Sequence, residues 1–351
     1  MEDNYLKGRG AQTQTGNRFL ERRVVAEHLE GLDEPLIQHP KTTVLIDRPK
    51  NIVNKVESPD VGMSFSLNPY QGCEHGCIYC YARNSHEYYG FSAGLDFETK
   101  LMAKPNAPKL LEKKLLSPNW KVAPISLSGN TDCYQPLEKD MKITRGLLQV
   151  FAKYRHPVGL ITKNSLILRD LDLLKDLAAD NLVQVYISIT TLDETLRRKM
   201  EPRTVSATKR LETIAKLSSA GIPVAVMNAP IIPGLNDQEI PNVLKAAAEH
   251  GALSAGMTVV RLNGRIGEIF EDWLRKNFPD RFNKVWNQIE ALHGGSVRDN
   301  QFGRRMKGSG VMAEMIQQLY RQSKKQYFQG KQMPEFDLTK FRKGGNLKLD
   351  F

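Results

Sequence analysis

Short apolar runs alternate with longer amphipathic segments along the chain from about residue 64. Six of these runs are short enough and rich enough in β-branched or apolar residues to be strands: SFSL, PISLSG, VGLIT, VQVYISIT, VAVMNAPII and MTVVRL. A longer segment of helical character follows each run. Strands that alternate with helices in this way predict an α/β fold with a parallel sheet.

The segments between the runs have the apolar spacing of helices that bury one face. In SLILRDLDLLKDLAAD the apolar stripe lies between charged neighbours, at Leu166, Ile167, Leu171, Leu174 and Leu177. ATKRLETIAKLSSAG has the same spacing, at Leu211, Ile214, Ala215 and Leu217. Gly221 is well placed to end this second helix. Five or six such units suit a partial TIM-like (β/α)6 barrel, and a doubly wound open sheet is the alternative that periodicity does not exclude.

The alternation is confined to the middle of the chain, which divides the sequence into four regions. Residues 1–60 have few apolar periods and several turn signals, so we expect an N-terminal arm there. Residues 61–264, which contain the alternation, are predicted to form the α/β core. Residues 265–328 contain three consecutive helical segments, IGEIFEDWLRKNF, DRFNKVWNQIEALHGG and VMAEMIQQLYRQSKKQYF, which predict a C-terminal helical cap. Residues 329–351 have the character of a mobile or loosely docked tail.

Composition and charge narrow the class of protein. Of the 351 residues, 40% are hydrophobic and 25% charged, which is ordinary for a globular protein. No apolar run approaches the ~20 residues of a membrane helix, and the N-terminus lacks the apolar stretch of a signal peptide, so we expect a cytoplasmic protein. The net charge of +11 favours a polyanionic partner such as nucleic acid. A solvated basic surface would have the same composition, because no basic block is compact enough to mark a groove.

Three of the four cysteines lie in one loop directly after the first apolar run. Residues 68–81 have the sequence NPYQGCEHGCIYCY, in which Cys73, Cys77 and Cys80 follow the spacing C-x3-C-x2-C. Gly72 and Gly76 permit tight reversals in this segment, so three thiolates can converge on a soft metal centre. A fourth cysteine is absent until Cys133, and a [4Fe–4S] cluster held here would therefore keep one iron open. A Cys3His zinc site that includes His75 and buried non-liganding cysteines are the alternatives.

The cysteine spacing, with aromatic Tyr79 before the last cysteine, resembles the motif of radical S-adenosylmethionine (SAM) enzymes. Further segments resemble a bacterial group within the spore photoproduct lyase-related branch of that superfamily: KGRGAQTQTGNRF, SGNTDCYQPLEK, ITKNSLILRDLDLL, SITTLDETLRRKMEPRT, APIIPGLND and FGRRMKGSG. The resemblance implies a partial TIM-like barrel with the cluster loop after its first strand. It also implies a [4Fe–4S] cluster and S-adenosyl-L-methionine as cofactors, and a reducing electron donor such as flavodoxin or ferredoxin.

The resemblance also suggests which residues bind SAM. Lys163 and Ser188 match positions that contact the SAM carboxylate in the lyases, and a cation and a hydroxyl suit that anion. Tyr79 is expected to pack beside the adenine. The turn that contains Asn130, Thr131 and Asp132 supplies further candidate contacts, as does Arg203. Asp132 as a turn carboxylate and Arg203 as a surface cation are the structural alternatives.

The position of the fourth cysteine departs from the lyase pattern. In the lyases a hydrogen-donating cysteine precedes a threonine, and the corresponding position here is Asn130. The thiol of this chain is three residues later, at Cys133. Cys133 is therefore a candidate hydrogen donor and Tyr134 a candidate relay. Core packing of both residues, or ligation of the cluster by Cys133, are the alternatives.

The resemblance implies reductive cleavage of SAM to methionine and a 5′-deoxyadenosyl radical, which then abstracts a hydrogen atom from a substrate. We expect a nucleic acid as that substrate, because the positive charge and the lyase resemblance point the same way. A peptide or small metabolite is the alternative substrate. A non-catalytic iron–sulfur or zinc module is the alternative outside the enzymes.

Overall fold

The computed structural model describes residues 5–19 and 41–344, so parts of the predicted arm and tail, residues 1–4, 20–40 and 345–351, lie outside the described residues. The strands of the described ranges are β1 (Thr43–Ile46), β2 (Val53–Lys55), β3 (Phe65–Leu67), β4 (Tyr70–Gln71), β5 (Lys100–Ala103), β6 (Ile125–Leu127), β7 (Val158–Thr162), β8 (Val183–Ser188), β9 (Val224–Ile231) and β10 (Ala255–Val259). The α-helices are α1 (Asp96–Thr99), α2 (Ala107–Leu116), α3 (Glu138–Met141), α4 (Ile143–Lys153), α5 (Leu171–Ala178), α6 (Glu194–Met200), α7 (Ala207–Ser219), α8 (Ile240–Glu249), α9 (Ile266–Asn277), α10 (Phe282–Leu292) and α11 (Gly310–Tyr327).

Six parallel strands form the main sheet, in the spatial order β3, β6, β7, β8, β9, β10. Strand β2 pairs antiparallel with the outer edge of β3. The six strands follow one another in space as they do in sequence, whereas a doubly wound sheet reverses its strand order at a switch point. Crossovers of one hand then place the helices on one face of a curving sheet. The partial (β/α)6 barrel predicted from the sequence is confirmed, and its six strands coincide with the six apolar runs.

The predicted helical stripes are buried as expected. In the 3-10 turn over 165–170 and the helix α5 that follows, Ile167, Leu174 and Leu177 are fully buried. Helix α7 begins after Ser206, whose side chain accepts a hydrogen bond from the backbone N–H of Lys209, and such a cap satisfies an otherwise unpaired amide. Among the helices of residues 5–19 and 41–344, none is long and apolar enough to cross a membrane.

The chain between β3 and β6 is a long insertion that carries the cluster loop. Its strands β4 and β5 form a small sheet with β1 of the N-terminal arm, in which β5 lies between β1 and β4. The N-terminal segment over 5–17 lies on this insertion, where the backbone N–H groups of Gly10 and Ala11 both donate to the carboxylate of Glu98. The described part of the arm therefore supports the insertion that holds the cysteines.

The C-terminal helices lie at both ends of the barrel. Helix α9 packs beside the cluster loop, since Phe270 and Trp273 share a hydrophobic cluster with Cys77. Helix α11 lies near the amino end of β10, where the Tyr320 hydroxyl donates to the backbone oxygen of Ala255 at 2.6 Å.

The described part of the tail follows the amino ends of the strands. Gln184 Nε2 donates to the Pro334 carbonyl at 2.7 Å, and the amide of Asp337 donates to the Asn181 carbonyl at 3.2 Å. The tail is thus hydrogen-bonded to the barrel as far as it is described, and it covers the amino end of the barrel.

Candidate active site at the carboxyl ends of the strands

The cluster loop depends on two glycines in the left-handed region of backbone conformation. Gly72 has φ of +76° and Gly76 has φ of +67°, which other residues rarely adopt. A Cβ at Gly76 would also lie 2.8 Å from Glu98 Oε2. The loop is anchored from both sides, because the Cys73 amide donates to the Phe97 carbonyl and the Ile78 amide to the Met200 carbonyl. The glycines thus allow the reversals that the sequence predicted.

The three loop cysteines line one cavity of about 140 Å³. Three further predicted site residues line the same cavity. Asn130 follows β6, Lys163 follows β7 and Ser188 is the last residue of β8. Parallel strands end at one edge of a barrel, and TIM-like barrels build their sites at that edge. Six predicted site residues are therefore brought together from four separate stretches of the chain.

The geometry of the cysteines does not correspond to a site for one metal ion. In the described residues no group of three or more His, Cys, Asp or Glu side chains could hold a single ion, and the predicted alternative of a zinc site with His75 is not formed. Thiolates that bind separate corners of a cubane need not meet at one point. Burial raises the pKa of Cys77 to about 12, so a positively charged iron centre would be needed to hold its thiolate.

Lys163 is a cation at the wall of the cavity. Its Nζ lies 5.9 Å from the centre of the Tyr79 ring, and within the described ranges no carboxylate is at ion-pair distance. Burial acts to lower the pKa of Lys163, but the charges of Cys77 and Glu201 outweigh it and raise the pKa. The side chain therefore stays protonated and is available to an anionic group of a ligand.

Asp132 and His75 form a pair on another side of the cavity. His75 Nδ1 lies 3.4 Å from Asp132 Oδ2, which also accepts the amide of Lys163 at 2.8 Å. Burial works against ionisation of Asp132, but the facing His75 and these hydrogen bonds lower its pKa to about 2. His75 Nε2 is buried and has no hydrogen-bond partner among the described residues, although buried polar atoms are nearly always paired.

Two predicted SAM contacts lie behind the cavity. The Tyr79 hydroxyl donates to Glu201 and lies 3.2 Å from Thr190 Oγ1, so its side chain belongs to a buried hydrogen-bond network. Arg203 Nη2 lies 3.5 Å from Glu74 Oε1. Both side chains support the cluster loop, and neither lines the cavity that contains the thiols.

The two predicted catalytic residues lie in the core. Cys133 is fully buried and belongs to the main hydrophobic cluster. The Tyr134 hydroxyl donates to Asp170 Oδ2 at 3.1 Å, and this side chain is also fully buried. Neither lines the cavity, so the structure places them as in the alternative of core packing. The roles of hydrogen donor and relay stay predictions that this placement does not support.

Two residues near the cavity were missed from the sequence. Tyr81 lines the cavity with its side chain about half exposed, and its hydroxyl donates to the Gly129 carbonyl. The guanidinium of Arg261 lies over the Tyr81 ring at 4.8 Å from its centre. Burial lowers the pKa of Arg261, and in the described chain no carboxylate is at ion-pair distance from it. Arg261 is the one charged residue of the last predicted run, MTVVRL, and its position near the carboxyl end of that run was the signal that could have identified it.

A buried carboxylate, Glu201, connects the cluster loop with the barrel. It accepts hydrogen bonds from the Tyr79 hydroxyl, from Thr190 Oγ1 at 2.6 Å and from Arg210 Nη2 at 2.5 Å. Burial alone would raise the pKa of Glu201, but the Arg210 guanidinium overrides it and lowers the pKa to about 2. Arg210 Nη1 also donates to the carbonyl of Ser188 at 3.0 Å. This network holds one face of the site, and sequence reasoning missed both of its charged members.

A second buried carboxylate, Glu98, supports the loop from the opposite side. It pairs with Arg83, whose Nε donates to the Cys77 carbonyl at 3.0 Å. Gly10 of the N-terminal arm approaches so closely that a Cβ there would lie 1.7 Å from the Gly76 carbonyl oxygen. The segment KGRGAQ, which carried part of the family resemblance, thus fits against the back of the cysteine loop.

A larger cavity of about 480 Å³ adjoins the first one inside the barrel, and Ile161 lines both. Its open side, between the first and last parallel strands, is bridged by an ion pair between Asp60 Oδ2 and Arg305 Nε at 2.6 Å. Arg305 belongs to the segment FGRRMKGSG, and the next residue, Met306, accepts a backbone hydrogen bond from Val259 of β10. This segment therefore closes the larger cavity between the first and last parallel strands.

Comparison with known proteins identifies the family to which this chain belongs. The family model of the radical SAM superfamily matches residues 67–247, just over half of the chain. The chain belongs to the radical SAM superfamily. Members of this superfamily use a [4Fe–4S] cluster together with S-adenosylmethionine, as predicted.

Similar proteins agree with this family. An uncharacterized protein of Mycobacterium tuberculosis is 32% identical over 234 residues, which cover 66% of this chain and 69% of that protein. An uncharacterized protein of Methanocaldococcus jannaschii is 28% identical over 248 residues, with 71% and 88% covered. A spore photoproduct lyase variant with bound AdoMet and dinucleoside spore photoproduct superposes with a TM-score of 0.62 at 14% identity, over 85% and 84% of the two chains. The fold is therefore that of spore photoproduct lyase, as the resemblance implied.

The residues around the smaller cavity fit both cofactors of the family. Three free thiols supply the ligands of a cluster with one open iron. Lys163 and Ser188 offer a cation and a hydroxyl to a carboxylate. His75, which lines the same cavity, has a buried nitrogen without a partner in the described part of the chain, as expected where a bound group completes the site.

Proposed function

We propose that this radical SAM protein cleaves SAM reductively and uses the resulting radical to abstract a hydrogen atom from a nucleic acid. The observation that carries the first part is the single cavity lined by Cys73, Cys77, Cys80, Lys163 and Ser188. The thiolates would bind the cluster, and the Lys163 ammonium and Ser188 hydroxyl would bind the SAM carboxylate. Binding of SAM at the open iron explains why both sets of groups line one cavity.

Each side chain of the site has a distinct role in this proposal. When bound, the cluster supplies the electron that cleaves SAM, and SAM supplies the carbon radical. The three cysteines hold the cluster, and Lys163 with Ser188 orients the SAM carboxylate. The Asp60–Arg305 ion pair and the docked tail close the barrel interior, which keeps water away from a reactive radical.

The groups at the rim of the cavity support an anionic, aromatic substrate. Arg261 is a half-buried cation that has no carboxylate partner in the described residues, and it lies on the exposed ring of Tyr81. An aromatic face stacks with nucleobases, and an arginine binds phosphate. Spore photoproduct lyase, whose fold this chain shares, is complexed with a dinucleoside. The net charge of +11 agrees with the same substrate class.

The proposal does not include the reaction of spore photoproduct lyase itself. Asn130 lines the cavity where the resemblance places the hydrogen-donating cysteine of the lyases, and Cys133 is buried in the core. A radical left on the substrate would therefore meet the Asn130 amide, and not a thiol, at the position of the lyase cysteine.

A small metabolite is the second candidate substrate. The larger cavity contains about 480 Å³ and is lined mainly by uncharged side chains, among them Ser126, Tyr186, Met227 and Thr258. An interior of this kind suits a compact, largely uncharged molecule. The two candidates differ in whether the substrate carries phosphate to the rim at Arg261.

Anaerobic reconstitution tests the cofactor chemistry. The protein is loaded with iron and sulfide, reduced with dithionite, and incubated with SAM, and 5′-deoxyadenosine is measured by chromatography. We expect its formation by the native protein and its loss in Cys77→Ala. Cys133→Ala is the matched control, because a buried thiol outside the cavity should leave iron content and SAM cleavage unchanged. Equal SAM cleavage by Cys77→Ala and the native protein would refute the proposal.

Substrate addition to the same assay tests the nucleic acid. An oligonucleotide is expected to raise the rate of 5′-deoxyadenosine formation, with an effect that weakens as salt is increased, because phosphate contacts release counterions. Arg261→Gln should reduce this stimulation while leaving unstimulated SAM cleavage in place. Stimulation by a metabolite pool, without any effect of oligonucleotides, would favour the second candidate. A natural donor such as flavodoxin or ferredoxin would replace dithionite in the cell.

A further inference from the structure

A second concave surface lies at the opposite end of the barrel from the cysteines. It is a cavity of about 330 Å³ between helix α11, the chain that follows it and Ser254, which immediately precedes β10. Four cations line it: Arg321, Lys324, Lys325 and Lys331. No acidic residue is among its lining residues. We call it the basic pocket.

The cations of the basic pocket lack acidic partners. In the described residues none of the four forms an ion pair with a carboxylate. Helix α9 shows the contrast, because its Arg275 pairs with Glu271 and its Lys276 with Asp272, each one turn away. Positive charge that is neutralised along α9 is thus left uncompensated at the basic pocket.

Two of the cations are fixed to neighbouring elements of the barrel by backbone oxygens. Lys324 Nζ donates to the Ala255 carbonyl at 3.0 Å, and Lys331 Nζ donates to the Ala248 carbonyl at 2.6 Å. Each ammonium group keeps further N–H donors for a ligand. These contacts hold two long side chains at the cavity before any ligand binds, which lowers the entropy lost on binding.

We propose that the basic pocket binds a phosphate group. Four cations in one concavity match the multiple charge of phosphate better than the single charge of a carboxylate. The Ser254 hydroxyl and the Gln329 amide line the same cavity and add neutral hydrogen-bond donors. The phosphate belongs either to a polynucleotide backbone or to a small phosphorylated molecule.

The basic pocket is independent of the radical chemistry. Ser254 precedes the first residue of β10, whereas Lys163 and Ser188 lie at the far ends of their parallel strands. A phosphate bound here lies at the other end of the barrel from the cluster cavity. The site is thus a holding contact for a long polyanion or a separate ligand site, and it goes beyond the proposed function.

Binding of two probes, with charge-matched variants, tests the site. Pyrophosphate is titrated by calorimetry, and a fluorescent single-stranded oligonucleotide is titrated by anisotropy at several salt concentrations. Arg321→Gln/Lys325→Gln removes two exposed cations, and Lys324→Gln/Lys331→Gln removes the two that are fixed. Lys109→Gln/Lys216→Gln is the control, because it removes the same charge from exposed positions on α2 and α7.

Each pocket variant is expected to bind at least one probe about tenfold more weakly than the control does. If the oligonucleotide is the ligand, the slope of log K against log salt should also become less steep by about 1.4, since each single-strand phosphate contact contributes about 0.7. A loss confined to pyrophosphate identifies a small phosphorylated ligand. The proposal is overturned if the native protein binds neither probe, or if the control loses as much affinity as both pocket variants. SAM cleavage should be unchanged in all three variants. Absence of SAM cleavage in the native protein would contradict the proposed function and would leave the basic pocket unaffected.

Discussion

The cluster cavity and the basic pocket, at opposite ends of the barrel, use charge in opposite ways. At the carboxyl end, the carboxylates of Glu98 and Glu201 are fully buried, and each is paired with a buried arginine. At the amino end, Lys325 and Lys331 are exposed and have no acidic partner within the described ranges. Buried pairs fix geometry and respond little to salt, whereas exposed cations attract mobile anions and are screened. The difference indicates a rigid cofactor site at one end and a surface for ligand capture at the other.

Removal of one buried charge should separate the two ends most strongly. Glu201→Gln leaves Arg210 buried without a carboxylate, which we expect to cost about 3–5 kcal/mol in free energy of unfolding. The matched change at the amino end is Glu112→Gln. Glu112 pairs with Lys153, and both side chains are partly exposed, so its loss should cost less than about 1 kcal/mol. Urea unfolding measures both, and similar costs would remove the distinction between the two ends.

The Glu201–Arg210 pair also predicts how the free energy of unfolding depends on pH. The pKa of Glu201 is about 2, which is below the ordinary value of about 4.3 for a glutamate. Its ionised form therefore stabilises the folded state fully at pH values above about 4.3. This contribution is lost progressively as the pH falls from about 4.3 towards 2. The native protein should therefore lose more free energy of unfolding over that range than Glu201→Gln does.

Exchange of a lysine for methionine tests whether the ends bind different ligands. Lys163→Met removes the cation from the cluster cavity and should weaken SAM binding about tenfold to 100-fold, the worth of a hydrogen bond to a charged group. Lys331→Met makes the same change at the basic pocket and should leave SAM affinity unaltered. Equilibrium binding of SAM to the anaerobically reconstituted variants decides between them. Unchanged affinity in Lys163→Met would place the SAM carboxylate elsewhere.

Addition of a single methyl group should have a smaller effect than removal of the buried charge, and this effect should be confined to the carboxyl end. In Gly10→Ala the Cβ would collide with the Gly76 carbonyl, which should cost about 1–3 kcal/mol and reduce the iron retained after reconstitution. Gly344→Ala, near the amino end, has no heavy atom within 4 Å of its added Cβ and should behave as the native protein does. Full iron retention in Gly10→Ala would show that the arm does not support the cluster loop.

The sequence predicted the features that depend on local order. Each barrel strand is a short apolar run between helices, so its position follows from nearby residues alone. The cysteine loop was equally predictable, because Cys73, Cys77 and Cys80 lie within eight positions and the chain reverses at Gly72 and Gly76. Lys163 and Ser188 were implied by the family resemblance and agree with their places at strand ends, and both line the cavity.

Features that depend on distant partners were not predictable. Arg210 lies on α7 among charged neighbours that would be solvated on an isolated helix, yet it is buried because Glu201 meets it. Glu201 in turn is fixed by Tyr79, which is 122 positions away in the sequence. The placement of Cys133 depends on how one loop turns, since Asn130 reaches the cavity while the thiol three residues later enters the core.

The cluster loop has consequences for the order in which the protein is made. Its hydrophobic cluster unites Ala11 with Cys77 and with Trp273, so the loop is complete only when both distant parts of the chain are present. Domains begin to fold during synthesis from the amino end. The cysteines therefore leave the ribosome almost 200 residues before Trp273, whose packing completes their support. We therefore expect stable cofactor insertion to follow the synthesis of Trp273 and its helix, well after the three cysteines have emerged.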